Sequence, residues 1–388
     1  MEKILFILLL FLFLLQPASA QNPEKIYGKN KVLKSNDYYL EQMQLWRKEA
    51  ETHPQNPDAW YNYYRSSRNA YIVGEENDSQ NAKSTNRFQR LKTIVLEMEK
   101  NVPGSYEFNF VKWLNGNNDE LLFPYLEKAN TLNPEAPEPV MSLVYYYELK
   151  GDYARRDKYL QDFYALGDYS PGLLNYAYNM LMEPDSNAII FTHGDKDTDA
   201  SFILQAAKGI RTDVRLINVD LFMQKDYRLR LFKELEIPGA DIDPFLSTEN
   251  YDLFRKTIIL QVAKNAKKRP VYIGVLVPDA YTEEVNKKMY LAGLSYLLSD
   301  TSVDNFTLLK KNYEEKFALD YLRAYLPYDI SEGNMHEFNA NYLLSLDALR
   351  GFYLDRNDKA NADKYNTLMM KIINDTGHPQ DFKKYIHQ

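Results

Sequence analysis

Asn187-Ala188-Ile189-Ile190-Phe191-Thr192-His193-Gly194-Asp195-Lys196-Asp197-Thr198-Asp199 is the stretch that decides the fold class. Its first half, 188–192, is a continuous apolar run of the kind found in strands buried on both faces. Its second half gathers a histidine, a glycine and three aspartates where that strand would end. Toward the C terminus the pattern alternates. It predicts a helix over 201–208, a strand over 214–219, helices over 225–235 and 253–266, and a strand over 269–275. Strands and helices alternating at this spacing imply right-handed crossovers and a parallel sheet. Residues 294–298 add one more strand, read as antiparallel at an edge.

Toward the N terminus the period becomes helical. Leu40, Met43, Leu45, Trp46 and Ala50 recur at the three-and-four spacing of a buried helix face. His53-Pro54-Gln55-Asn56-Pro57-Asp58 ends that helix, because proline cannot continue it. Asn56-Pro57-Asp58-Ala59-Trp60 then resembles the opening of a tetratricopeptide repeat, a helix–turn–helix unit of about 34 residues. A second such start, Asn133-Pro134-Glu135-Ala136, is followed by Val140, Leu143, Tyr147, the turn Gly151-Asp152-Tyr153, Leu160 and Phe163. Val144 and Arg156 depart from it, standing where the repeat prefers small residues. Residues 92–128 are helical in pattern without the repeat's residues, and 75–85 read as a polar loop. Near the C terminus, helices over 338–353 and 361–374 flank the polar turn Asp355-Arg356-Asn357-Asp358. The expected fold class is α plus α/β. A tetratricopeptide-like helical array (21–185) precedes a small, mostly parallel three-layer α/β domain (186–315) and a C-terminal helical hairpin (316–388).

The first twenty residues read as a secretory signal peptide. Met1-Glu2-Lys3 is a weakly basic start, 4–15 is unbroken apolar sequence, and Pro17-Ala18-Ser19-Ala20 offers a small-x-small cleavage site. Cleavage is expected after Ala20, giving a periplasmic or secreted protein. About twelve apolar residues fall short of the ~30 Å core of a bilayer, and nothing later approaches a membrane span. The chain has no cysteine. That excludes disulfides, thiolate chemistry and lipid attachment to a cysteine. A net charge of −7 argues against a nucleic-acid partner, which needs a basic surface.

The candidate ligand-binding residues are His193, Gly194, Asp195, Asp197, Thr198, Arg211 and Asn218. All but Arg211 sit where the first two strands end, the second ending with Asn218 and Asp220, the side on which open α/β sheets bind ligands; Arg211, with Asp213 and Arg215, leads into the second strand. One glycine followed by three aspartates would repel a phosphate. An EF-hand counted from Asp195 fails, because Ala200 and Ala206 occupy its glycine and carboxylate positions. Asp195 and Asp197 form the Asp-x-Asp pair that could hold a divalent cation, the one cofactor this pattern suggests. A structural account stands beside these readings. Asp197, Thr198 or Asp199 would cap the following helix, Gly194 would make the turn, and Arg211 would neutralise an aspartate.

The same region carries a wider resemblance. The apolar strand, Gly194-Asp195-x-Asp197-Thr198, Leu204-Gln205 and Gly209-Ile210-Arg211-Thr212-Asp213-Val214-Arg215 resemble the soluble C-terminal domain of bacterial O-mannosyltransferase-like membrane proteins of unknown function. Arg269-Pro270-Val271-Tyr272 and 291–298 fit later segments of that domain, so the likeness covers about a third of the chain. It implies a fold and an envelope or glycan setting. The transferase activity does not carry over, because that chemistry belongs to a multi-span membrane portion. Asp199-Ala200-Ser201-Phe202 also replaces the family's aromatic, proline-containing segment. The expected function is an exported binding or scaffold protein, with a protein or peptide partner on the helices and a polar ligand, such as a glycan, at the strand ends. The alternative is a metal-assisted enzyme acting on glycans or esters, with Asp195 and Asp197 at its centre and His193 assisting.

Overall fold

The fold is described from a computed structural model, over residues 22–77, 84–117, 119–238, 251–266, 269–324 and 329–386. The proposed signal peptide lies outside the described residues. The chain divides into two units, one reaching to Pro134 and one from Glu135 onward, with Asn30–Val32 grouped with the second.

The first unit is helical: α1 (Asn36–Thr52), α2 (Pro57–Asn77), α3 (Ser84–Asn101), α4 (Tyr106–Asn115) and α5 (Phe123–Leu132). Helix α2 starts as the Asn-Pro-Asp signature predicts. Asn56 Oδ1 accepts from the Asp58 and Ala59 N–H groups, and Pro57 takes the first helical position. Trp60, Tyr64, Leu91, Met98, Phe110, Trp113 and Leu126 are buried inside this unit. Residues 75–85, expected to be a loop, are narrowed by helix at both ends, and 78–83 lie outside the described residues.

The second unit opens with the hairpin α6 (Pro137–Lys150) and α7 (Tyr153–Leu166), followed by α8 (Pro171–Met182). The α/β elements come next: β1 (Ile189–Thr192), α9 (Asp195–Lys208), β2 (Arg215–Asn218), α10 (Lys225–Glu234), α11 (Tyr251–Asn265), β3 (Val271–Gly274), β4 (Met289–Leu291) and β5 (Ser295–Leu298). After α12 (Asn305–Lys311), a π-helical turn (Asn312–Lys316) and α13 (Asp320–Arg323), the unit ends in α14 (Glu332–Asn339), α15 (Leu343–Asp355) and α16 (Lys359–Asp375). No helix among the described residues is long and apolar enough to cross a membrane.

The strand order is β2-β1-β3-β5-β4. Strand β1 pairs in parallel with β2 and β3, while β5 runs antiparallel to both β3 and β4. The sheet is therefore mixed rather than mostly parallel. Strand β5 was expected at an edge but lies inside, because the short β4 folds back and covers it. Side chains alternate across the sheet, as the two-residue period requires. Ile190, Leu216 and Tyr272 enter a core shared with α6 to α9, α15 and α16. Ile189, Phe191, Ile217, Val271 and Ile273 face α10 and α11.

That sharing moves the domain boundary. The sequence placed it at 185/186, yet Val140, Leu160 and Leu181 belong to the same buried cluster as Ile190. Burial of a common apolar surface, more than helical period, defines the unit. The departures from the repeat pattern take part in this attachment. Val144 is fully buried in the shared core, and the Arg156 guanidinium lies 5.2 Å over the Phe202 ring of α9.

Candidate functional site

The site expected as a loop is in fact a turn followed at once by helix. Strand β1 ends at Thr192, Gly194 has φ +90° and ψ −174°, and α9 begins at Asp195 instead of 201. A side chain would strain that backbone, so glycine is required for conformation alone; a Cβ there would meet nothing within 4 Å. Asp197, third in the helix, turns back and accepts from the His193 N–H at 3.0 Å. This is the reach of a capping-box carboxylate, which satisfies a backbone donor ahead of the helix.

Below the turn the polar groups satisfy one another. Thr192 Oγ1 lies 2.8 Å from Thr198 Oγ1. Asn218, at the end of β2, donates to Thr198 Oγ1 at 2.9 Å and to the Gly194 carbonyl at 3.2 Å. Its oxygen accepts from the N–H groups of Asp220 and Leu221. Gly274 closes the third side, since a Cβ there would stand 3.0 Å from the Phe191 carbonyl and 3.9 Å from Asp197 Oδ2. Burial, opposed by backbone N–H donors, pushes the Asp197 carboxyl up to about 7.

The three aspartates have three different partners. Asp197 serves the turn. The exposed Asp195 accepts from Asn30 Nδ2 at 2.6 Å. Asp199 is buried and accepts from the Tyr145 hydroxyl of α6. Burial and the neighbouring Asp195 charge raise the Asp199 carboxyl well above the ordinary range. Among the described residues, no group of three or more His, Asp or Glu side chains is placed to hold a metal ion.

Arg211 departs from its expected place. It follows the C-terminal end of α9, about 20 Å of helix away from the aspartates at 1.5 Å per residue. It takes φ +47° and donates to the carbonyls of Leu181, Pro184 and Asp185. It also pairs with Asp213 at 2.9 Å, a contact that holds the Asp213 carboxyl down near 2. Asp213 in turn accepts from the Asn187 N–H at 2.8 Å. The Gly-Ile-Arg-Thr-Asp-Val-Arg run thus clamps the entry to β1, because its arginine binds the carbonyls at the end of α8.

The outer layer at the strand ends joins His193 and Asp220 to two residues of later elements, Arg255 and Tyr281. His193 is half-buried, with Nε2 3.8 Å from Asp220 Oδ2 and its ring 6.0 Å from Tyr281 in an edge-on contact. Arg255 of α11 donates to Asp220 at 2.7 and 3.1 Å, and its guanidinium lies 5.2 Å over the Tyr281 ring. Strand β1 lies between β2 and β3; the chain leaves β1 through α9 toward β2, whereas it leaves β3 toward β4 and β5 on the other side. Chains therefore diverge where β1 and β3 end, the point at which open sheets bind ligands. Asp220 was visible as a strand-end residue, whereas Arg255 and Tyr281 carry no local signal.

With this geometry in view, a family model described as TMEM260-associated domain 2 matches residues 173–261. That segment runs from α8 into α11 and contains the whole of the 187–218 stretch that carried the resemblance. No curated protein matches the chain. Among solved structures, the crystal structure of the yeast Tom70 is similar at 10% identity and a TM-score of 0.28. The alignment takes in 90% of this chain, which spans 60% of the length of that one.

Proposed function

We propose that this protein is an exported binding protein of the cell envelope. Its helical hairpins engage a protein partner, and the outer layer where β1 and β3 end takes a polar, uncharged ligand. One observation carries the ligand reading. Asp197, Thr198 and Asn218 are engaged inside the fold, which leaves His193, Asp220 and Arg255, over the buried Tyr281 ring, as the groups that would meet a ligand. A histidine beside a guanidinium and a carboxylate offers hydrogen-bond donors and acceptors to the hydroxyls of a sugar. Export rests on the charge, length and cleavage pattern of the first twenty residues.

Saturation-transfer NMR with mannose tests the site. Transfer to mannose should be seen with the wild type and lost in His193→Ala and Arg255→Ala; equal transfer in all three would sink this reading. A thermal-shift series with Ca²⁺, Mg²⁺ and Mn²⁺ guards the other side. A cation-dependent rise that Asp195→Ala abolishes would restore the metal-assisted alternative. For export, the mass of the chain recovered outside the cytoplasm should correspond to a start at Gln21.

A further inference from the structure

A second site stands apart from the strand ends, beside the C-terminal hairpin. Helices α12, α13, α15 and α16 and the π-helical turn surround a cavity of about 420 Å³, lined among others by Lys310, Glu314, Arg323, Tyr353, Asn361 and Lys364. That volume lies within the range of small-molecule sites. The π-helical turn places Glu314 on the wall, and such turns recur at functional sites.

The charges in this cavity are not equally engaged. Glu314 accepts from the hydroxyls of Tyr353 and Tyr365, whose rings stack 5.8 Å apart. Asp358 caps α16 by accepting from the Asn361 N–H and Nδ2. Asp320 pairs with Arg323 at 3.2 Å. The ammonium groups are held more loosely. Lys310 Nζ stands 4.0 Å from Glu314 Oε2, beyond hydrogen-bond distance, and Lys364 Nζ lies over the Tyr365 ring at 5.1 Å. Both lysines are exposed to solvent at the rim. A cationic ligand would compete with these carboxylate contacts, whereas an anion would complete the ammonium groups. The polar lining excludes a lipid tail and suits a ligand rich in hydroxyls.

We propose that this cavity binds a small polyhydroxylated anion, a sugar carrying a carboxylate or a phosphate, between Lys310 and Lys364. Two sources share that chemistry, and isothermal titration with glucuronate and with glucose 6-phosphate separates them. The full-length mature chain should bind at least one of them at millimolar concentration. Lys364→Met or Lys310→Met should weaken it about tenfold, the scale of one lost hydrogen bond to a charged group. Binding should also fall as salt rises. Because the two lysines are exposed, the variants should keep the wild-type melting temperature. Lys158→Met, an exposed lysine on α7, should leave binding unchanged. Failure of both anions to bind, or affinities unmoved by both cavity lysine variants, would overturn the proposal.

Discussion

The hairpins α6/α7 and α15/α16 share one turn and differ in what surrounds it. In the first, Gly151 takes φ +74°, Asp152 N donates to the Tyr147 carbonyl, and Asp152 caps α7 through the Arg155 N–H. In the second, Asn357 takes φ +58°, Asp358 N donates to the Tyr353 carbonyl, and Asp358 caps α16 through the Asn361 N–H. Each carries a stacked tyrosine pair at the same spacing: Tyr147 with Tyr159 at 5.7 Å and 9°, Tyr353 with Tyr365 at 5.8 Å and 15°. The residue after the first tyrosine separates them. Glu148 is fully buried and gripped by Arg156, by Arg215 of β2 at 3.5 Å and by the Tyr227 hydroxyl of α10 at 2.8 Å. Leu354, its counterpart, is 48% exposed. One local design thus serves as an anchor to the sheet in the first hairpin and as the wall of an open cavity in the second.

Exchanging that residue should give the largest effect. Glu148→Leu installs the second hairpin's choice in the first and removes the fully buried carboxylate from two largely buried guanidinium groups, leaving Arg156 with Asp157 and Arg215 with Glu234. Breaking a buried pair in this way costs about 3–5 kcal/mol, to be read as a lower urea midpoint. Leu354→Glu, at an exposed position, should stay within about 0.5 kcal/mol. Equal losses would mean that the two environments do not differ as described.

A second contrast lies between two buried carboxylates. Glu148 faces guanidinium groups, while Glu183 at the end of α8 accepts from the Leu294 N–H and the Ser295 hydroxyl. Burial, opposed by those donors, pushes the Glu183 carboxyl from 4.5 up to about 8. An acid whose folded value is raised binds its proton more tightly in the native state. The stability it contributes is complete below pH 4.5 and is lost as pH rises through about 8. The melting temperature should therefore fall by several degrees between pH 5 and 8, and Glu183→Gln should flatten that slope. An unchanged slope in the variant would assign the fall to Asp197 and Asp199, whose carboxyls are raised in the same direction.

These contrasts also mark how far the sequence could be read. The apolar runs at 188–192 and 214–219 gave strands, and Gly151-Asp152 and Asn357-Asp358 gave hairpin turns, because each signal is local. The start of α9 was misjudged for a physical reason. Aspartates in a first helical turn and aspartates in a binding loop look alike until their partners are known. Those partners, Asn30 and Tyr145, stand 165 and 54 residues away. Strand β4 has three residues, and its place depends on pairing Tyr290 with Leu297. The strand-end layer and the cavity bring together residues from separate elements, such as His193 with Tyr281 and Lys310 with Lys364, so neither leaves a spacing to detect.

The smallest expected effect is also the finest test of the two turns. Gly151 and Asn357 occupy equivalent left-handed positions, which glycine adopts freely and asparagine tolerates. Conformation alone would make the exchange of one for the other cheap in both hairpins. The surroundings differ, however. A Cβ on Gly151 would stand 2.7 Å from Arg230 Nε. That guanidinium is already committed to the carbonyls of Leu149 and Glu148 at 2.9 and 2.7 Å. Gly151→Asn should cost about 1 kcal/mol by displacing those bonds, whereas Asn357→Gly should shift stability by no more than about 0.5 kcal/mol. Urea titration of the two reciprocal variants measures the difference. If both changes proved equally small, Arg230 would be free to move, and the anchoring of the first hairpin would rest on Glu148 and the shared apolar core.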